Sequence, residues 1–256
     1  MIQLDINELA ARYETPDFIK DDPIQFPHRF TDKRDIEIAG FIASLLAYGS
    51  RKAFITKLKQ LFAIAQNEPH NFICNFEPGC LKGFNYRFSK EDDFVQIFSI
   101  MKGLYNGSSL EELFKHGHSR HCEEDFSPTR QSMGIFKTVV DYFYSRVQGQ
   151  AGHGFYHMIP NPDNGGAMKR MCMYLRWMVR KGPVDLGIWD FMPASELLIP
   201  LDVHVARISR EMGLLKRNSN DFKAVLELTE NLRKLDPNDP VKYDFAMFGY
   251  GVNKGV

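Results

Sequence analysis

No stretch of this 256-residue chain approaches the roughly 20 uncharged apolar residues of a membrane span. The opening run, MIQLDINELAARYETPDF, carries acids where a signal peptide would have its apolar segment. Both absences lead us to expect a cytoplasmic protein. Cys74, Cys80, Cys122 and Cys172 include no CxxC pair, which argues against a disulfide framework or a zinc ribbon, so reduced thiols are expected. Net charge is missing as well: 32 Lys and Arg balance 32 Asp and Glu. Bulk electrostatics therefore selects no partner, and any nucleic-acid surface has to be a local patch. Period-2 runs long enough for confident strands, repeats at fixed period and long polar linkers are all absent, which excludes an all-β sandwich, a solenoid and beads on a string.

What is there is helical. With 44% hydrophobic residues the chain can build one substantial core or two closely packed lobes. DIEIAGFIASLLAYG (35–49) starts near Asp35, has apolar residues at helical spacing and stops at Gly49. Ser50 reads as the N-cap of the next helix, Ser89 as the cap of SKEDDFVQIFSIMKGLY, and Ser127 with Pro128 as the start of a helix ending before Gly149. DFKAVLELTENLRKL and DPVKYDFAMFG supply two more, the second opened by Asp239-Pro240. The fold class is mainly α. KHGHSRHCEED (115–125) is the most polar stretch and reads as an exposed loop. His116, His118, His121 and Cys122 are metal-ligand types within it, but no paired half-site accompanies them, and a solvated loop is the simpler account.

Two segments carry chemistry. In NPDNGGAMKRMCMYLRWMVRKG (161–182) a dense turn containing Gly165 and Gly166 leads into a helix. Met168, Met171, Cys172, Leu175, Met178 and Val179 form one core stripe; Lys169, Met173, Arg176 and Arg180 form a second, which reads as a cationic flank. A helix start after a glycine turn offers free N–H groups and a positive dipole end, a seat for phosphate. Lys169 sits at the end where the dipole disfavours a cation, the condition an amine nucleophile needs. The other segment is LIPLDVHVARISREMGLL (198–215), where Asp202 precedes a helix carrying His204, Arg207 and Arg210. Asp202 reads equally as an N-cap and as a catalytic carboxylate, and one residue can be both.

These segments together resemble the helix-hairpin-helix DNA glycosylase superfamily, the endonuclease III-like enzymes. Leu201-Asp202-Val203-His204-Val205-Ala206-Arg207, leading to Met212-Gly213-Leu214, is similar to that family's proline/valine-aspartate-T-H-V-x-R stretch, with Val203 in place of threonine. IPNPDNGGAMK stands where the family has L-P-G-V-G-x-K, and Lys169 follows Gly166 by three positions. Lys169 and Asp202 lie 33 positions apart, a spacing closest to the archaeal 8-oxoguanine glycosylases with a lengthened hairpin region. FIASLLAYGSRKAF (41–54) falls in the place of the family's first helix–turn–helix, with Tyr48-Gly49-Ser50 where many members have glutamines, and no four-cysteine iron–sulfur loop follows residue 214. The end, DPVKYDFAMFGYG, is also similar to that of a family of uncharacterised bacterial proteins of about this length.

The resemblance implies a two-lobed, helix-hairpin-helix glycosylase-like fold: a helical barrel lobe over 32–165, and a second lobe joining 1–31 to 166–256. It implies DNA base-excision repair with abasic-site lyase chemistry, in which Lys169 forms a Schiff base with the sugar of an oxidised purine such as 8-oxoguanine. Asp202 then stabilises cationic sugar and handles protons. Double-stranded DNA would be held by Gly165, Gly166, Arg170, Arg176, Arg180, His204, Arg207 and Arg210, with Ser50 and Arg51 from the first helical pair. No cofactor and no metal is implied, and the chain is expected to be a monomer. The alternative is a non-catalytic or structure-specific DNA-binding protein that retains the fold.

Overall fold

The computed structural model describes residues 5–122 and 128–253. The elements are overwhelmingly helical. Among the described residues extended pairing is limited to isolated bridges, Tyr86–Ser89, Gly166–Asp221 and Lys181–Leu186. None of the described helices is long and apolar enough to cross a membrane. In chain order the α-helices are α1 (Ile6–Tyr13), α2 (Lys33–Leu46), α3 (Arg51–Ile64), α4 (Pro69–Cys74), α5 (Glu91–Tyr105) and α6 (Leu110–Cys122). After them come α7 (Pro128–Tyr144), α8 (His153–Met158), α9 (Lys169–Val179), α10 (Val203–Glu211), α11 (Phe222–Arg233) and α12 (Tyr243–Asn253). Contacts group the described residues into two units, one drawn from 1–22, 126–132 and 163–256, the other from 23–125 and 133–162.

The unit holding α2 to α6 and α8 is built on α2, whose residues Ile36 to Leu46 are all buried. Such a helix must be covered on every side, and α3, α4 and α6 pack against it. Asp32, three residues before the acid singled out in the sequence, caps α2 by accepting the N–H groups of Arg34 and Asp35. Asp35 instead accepts the His70 N–H at the start of α4, at 2.8 Å. Glu37 is buried inside the helix and accepts the Tyr105 hydroxyl at 3.0 Å, which satisfies the carboxylate. Burial and the adjacent Glu37 carboxylate push the Tyr105 phenol well above its usual range.

Two expectations are corrected here. Of the loop expected over 115–125, residues 115–122 are the last turns of α6, and 123–125 lie outside the described residues. Leu110, Leu113 and Phe114 are buried at i, i+3 and i+4, and Gly117 continues the same face. A Cβ on Gly117 would lie 2.9 Å from the Ile135 Cα, so the glycine lets α6 lie directly on α7. His116, Ser119 and Arg120 are simply the exposed face of a packed helix. The second correction is Ser89. It does not cap α5; the Asp93 carboxylate accepts the Lys90 N–H at 2.8 Å, and the Ser89 hydroxyl bonds the Tyr48 hydroxyl at 2.9 Å. Ser50 does cap α3, at 3.4 Å from the Ala53 nitrogen. Ser127 lies outside the described residues, as do the side chains of His121 and Cys122. Among the described residues no group of three or more His, Cys, Asp or Glu could hold a metal ion.

The other unit centres on α12, which packs against α1 and α10. The run Phe248-Gly249-Tyr250-Gly251 explains how three helices come this close. A Cβ at Gly249 would lie 2.4 Å from the Tyr13 ring on α1, and one at Gly251 would lie 3.1 Å from the His204 Cβ on α10. Phe245 on the same helix meets Phe18 edge-on with ring centroids 5.1 Å apart, and Phe248 meets the His204 ring at 5.9 Å. Tyr243 anchors the helix start through its hydroxyl, 2.9 Å from the Asn7 side-chain oxygen on α1. Every residue of α9 from Met171 to Val179 is buried, so this helix runs through the unit's core and has no solvated flank.

Candidate active site

The turn before α9 is pinned. Gly165 adopts φ +71, its carbonyl accepts the Phe222 N–H at 2.9 Å, and Gly166 pairs with Asp221 at the start of α11. Met168 then takes the left-handed conformation, φ 51 and ψ 25, and its side chain is buried. A residue with a Cβ pays about 1–2 kcal/mol for that conformation, so packing of the Met168 side chain has to hold it. No side chain caps the first N–H groups of α9, and Lys169 is the first residue of this uncapped helix.

Asp202 is the N-cap of α10. One carboxylate oxygen, Oδ1, accepts the N–H groups of His204 and Val205, both at 2.9 Å. The other, Oδ2, stands 3.8 Å from Lys169 Nζ. The capping bonds fix the carboxylate from the α10 side and leave its second oxygen facing the lysine. At 3.8 Å the pair is an ion pair without a hydrogen bond. The Lys169 side chain keeps 32% of its exposure and Asp202 14%, so the amine is accessible while its partner is nearly enclosed.

Behind this pair lies a network of charges. The Arg176 guanidinium is 2% exposed; it donates to Asp185 at 3.2 Å and to Asp244 on α12, and it stacks over the Phe245 ring at 4.4 Å. Arg180, one turn on and 4% exposed, donates to both oxygens of Asp239 at 2.9 Å, to Asp185 at 3.0 Å and to Glu14. Burial opposes the charge on both guanidiniums, and the surrounding carboxylates more than offset it, so both are raised further above their already high range. At Asp244 burial wins instead. Burial, and to a lesser degree the Asp202 carboxylate, push its carboxyl up to about 7 although Arg176 and Lys169 pull it down.

Arg176 and Arg180 are therefore corrected: the cationic stripe of α9 faces buried carboxylates and not a phosphate surface. Spacing put the cations on one flank, but it could not reveal acids 59 and 68 positions away that bury that flank. Arg207 lends N–H groups to the Gly251 carbonyl at 2.9 Å and to Glu211 at 3.4 Å. Arg210 ties down the loop after α10 through the carbonyls of Arg217 and Asn218, both at 2.9 Å, and the Asn220 side chain at 2.6 Å. Both retain partial exposure, and both spend donors inside the protein. Arg170 is half-buried beside Lys169. His204 gives its backbone N–H to Asp202 and its ring to Phe248. Ser50 and Arg51 belong to the other unit, at the start of α3. Asp185 and Asp244 were not singled out in the sequence; the only signal for Asp244 was its place in the DPVKYDFAMFG run.

No curated protein and no solved structure matches the chain. Residues 22–253 match the family described as a protein of unknown function, DUF2400, a span that ends with α12. The chain belongs to the DUF2400 family.

Proposed function

We propose that this chain is a DNA base-excision glycosylase with abasic-site lyase activity, of the helix-hairpin-helix glycosylase-like fold, acting on an oxidised purine such as 8-oxoguanine in double-stranded DNA. The observation that carries the reading is the meeting of a first-turn lysine with a helix-capping aspartate, 33 positions apart in sequence and 3.8 Å apart in space. An accessible amine at an uncapped helix start, paired with an enclosed carboxylate, is the equipment that imine chemistry on a sugar requires.

The damaged nucleotide leaves the base stack at a cost of a few kcal/mol. Neutral Lys169 Nζ attacks the sugar C1′; the C1′–N bond breaks, its electron pair leaves with the base, and the base takes up a proton. The C1′ adduct loses the amine's extra proton, O4′ takes up a proton as the C1′–O4′ bond breaks, and a protonated imine forms. Removal of a C2′ proton then expels the 3′ phosphate, and water hydrolyses the imine to free the lysine. Asp202, its Oδ2 3.8 Å from the attacking amine, would stabilise positive charge on C1′ and carry these protons. The capping bonds to His204 and Val205 keep it oriented, so it does not reorganise when that charge develops. Phosphate recognition falls to the backbone around Gly165 and Gly166, to Arg170, and to what Arg207 and Arg210 retain after their internal bonds.

Release of free base from lesion-bearing duplexes, read by mass spectrometry, tests the reading. Base release that Asp202→Asn slows by about 10²–10³ supports it. Duplex binding with no base release on any oxidised, alkylated or deaminated lesion overturns it in favour of a DNA-binding protein that keeps the fold.

A further inference from the structure

The unit built on α2 holds a pair of reactive side chains that the glycosylase reading does not use. His70 and Cys74 lie one turn apart on α4, and the Cys74 thiol meets His70 Nε2 at 3.3 Å. Both residues are half-buried, so neither is lost in the core. The imidazole is fixed by other groups as well. Asp35 accepts the His70 backbone N–H at 2.8 Å, and the His70 ring packs edge-on against Tyr105 with centroids 5.7 Å apart. Tyr105 is tied in turn through its hydroxyl to buried Glu37. An oriented imidazole in contact with a thiol is the arrangement that activates a sulfur nucleophile.

His70 also lines an open cleft of about 380 Å³ with Asp32, Arg34, Asp35, Glu68 and Asn71. Internal bonds occupy one oxygen of each acid: Asp32 caps α2, Asp35 takes the His70 N–H, and Glu68 takes the Asn71 amide at 2.9 Å. The three carboxylates are thereby held in place, and each keeps a second oxygen for a ligand. Three acids against one guanidinium favour a cation, and an ammonium brings three donors to share among them. We infer that Cys74 and His70 form a thiol–disulfide exchange site for a small disulfide that carries an amino group. Nε2 takes the thiol proton as Sγ attacks one sulfur of the disulfide. The new S–S bond forms and the old one breaks; the departing sulfur keeps the electron pair and takes the proton from His70. The protein thiol is oxidised, the small disulfide is the oxidant, and one aminothiol is released. The inference goes beyond the glycosylase reading and does not depend on it.

The test is anaerobic incubation of the full chain with cystamine, cystine and dithiodipropionate, which are cationic, zwitterionic and anionic disulfides of similar size. Mixed disulfides are mapped by peptide mass spectrometry, with exposed Cys80 as the internal standard. Half-buried Cys74 should be modified faster than Cys80. Relative to the same ratio at Cys80, cystamine should outrun dithiodipropionate at Cys74 by about threefold or more, with cystine between them. His70→Gln should slow Cys74 about tenfold or more and leave Cys80 unchanged. Glu68→Gln, at an exposed position, should narrow the cystamine preference at Cys74. Slower modification of Cys74 than of Cys80, no preference for the amino disulfide, or a His70→Gln rate equal to wild type overturns the proposal. Should His70→Gln not fold, the wild-type rates and Glu68→Gln decide, and a preference unchanged in Glu68→Gln overturns it.

Discussion

Replacing Arg176 with methionine separates a buried ion-pair network from a solvated basic stripe. Arg176 lies with its guanidinium between Asp185 at 3.2 Å and Asp244, and the Asp185 side chain is 0% exposed. Methionine matches the length of the stem, so the substitution removes charge and donors with little change in volume. It leaves Asp244 without its guanidinium and Asp185 with Arg180 alone. Breaking a buried pair in this way costs about 3–5 kcal/mol, against about 0.5 kcal/mol for a charge on a solvated helix face. For a chain of this size 1 kcal/mol moves the melting temperature by about 2–4 °C, so a loss near 4 kcal/mol lowers it by about 8–16 °C. The assay is urea unfolding with thermal melting at pH 8, repeated at pH 5. The penalty should shrink at the lower pH, because Asp244 there takes a proton and needs its cation less. A loss under about 1 kcal/mol, equal at both pH values, would refute the reasoning.

Three further outcomes follow. Asp244 has a raised carboxyl, about 7 against 3.8, so its contribution to stability is complete below about pH 4 and is lost as pH rises through 7. Relative to Asp244→Asn, wild type should lose up to about 4 kcal/mol between pH 4 and 8 in urea titrations, and a flat difference would contradict the burial. Gly249→Ala should cost about 1–3 kcal/mol, because its Cβ would overlap the Tyr13 ring at 2.4 Å; a neutral result in the same unfolding assay would mean that α1 and α12 are not packed face to face. Burial raises the Cys172 thiol, so iodoacetamide should label exposed Cys80 and spare Cys172 until denaturant is added, as peptide mass spectrometry would report.

Local signals were readable wherever the physics is local. The caps at Ser50 and Asp202, the Pro128 start of α7 and the helical class all rest on backbone N–H groups and apolar spacing within a few residues. The polar run 115–125 reads as a loop because polarity alone does not distinguish an exposed backbone from the outer face of a helix; Leu110, Leu113, Phe114 and Gly117 bury the other face. Ser89 lost its cap to Asp93 because its hydroxyl found Tyr48, 41 residues away. At the candidate site the Lys169 turn and the Asp202 cap were both visible as motifs. The burial of Arg176 and Arg180 was not, because their acids lie just after α1, on the 180–187 loop and around the start of α12. A helix wheel sorts residues by face; it does not say whether water or carboxylate covers that face.

Borohydride trapping is the most direct measurement of the central claim, that Lys169 forms an imine with a sugar. The protein is mixed with an 8-oxoguanine duplex and reduced, and the covalent adduct is mapped by peptide mass spectrometry, with a ready-made abasic duplex as control because many amines trap there. We predict an adduct on the lesion duplex at Lys169, abolished in Lys169→Gln and slowed in Asp202→Asn, with duplex binding nearly unchanged in both. An adduct on the abasic control alone, at another lysine, or undiminished in Lys169→Gln would contradict it.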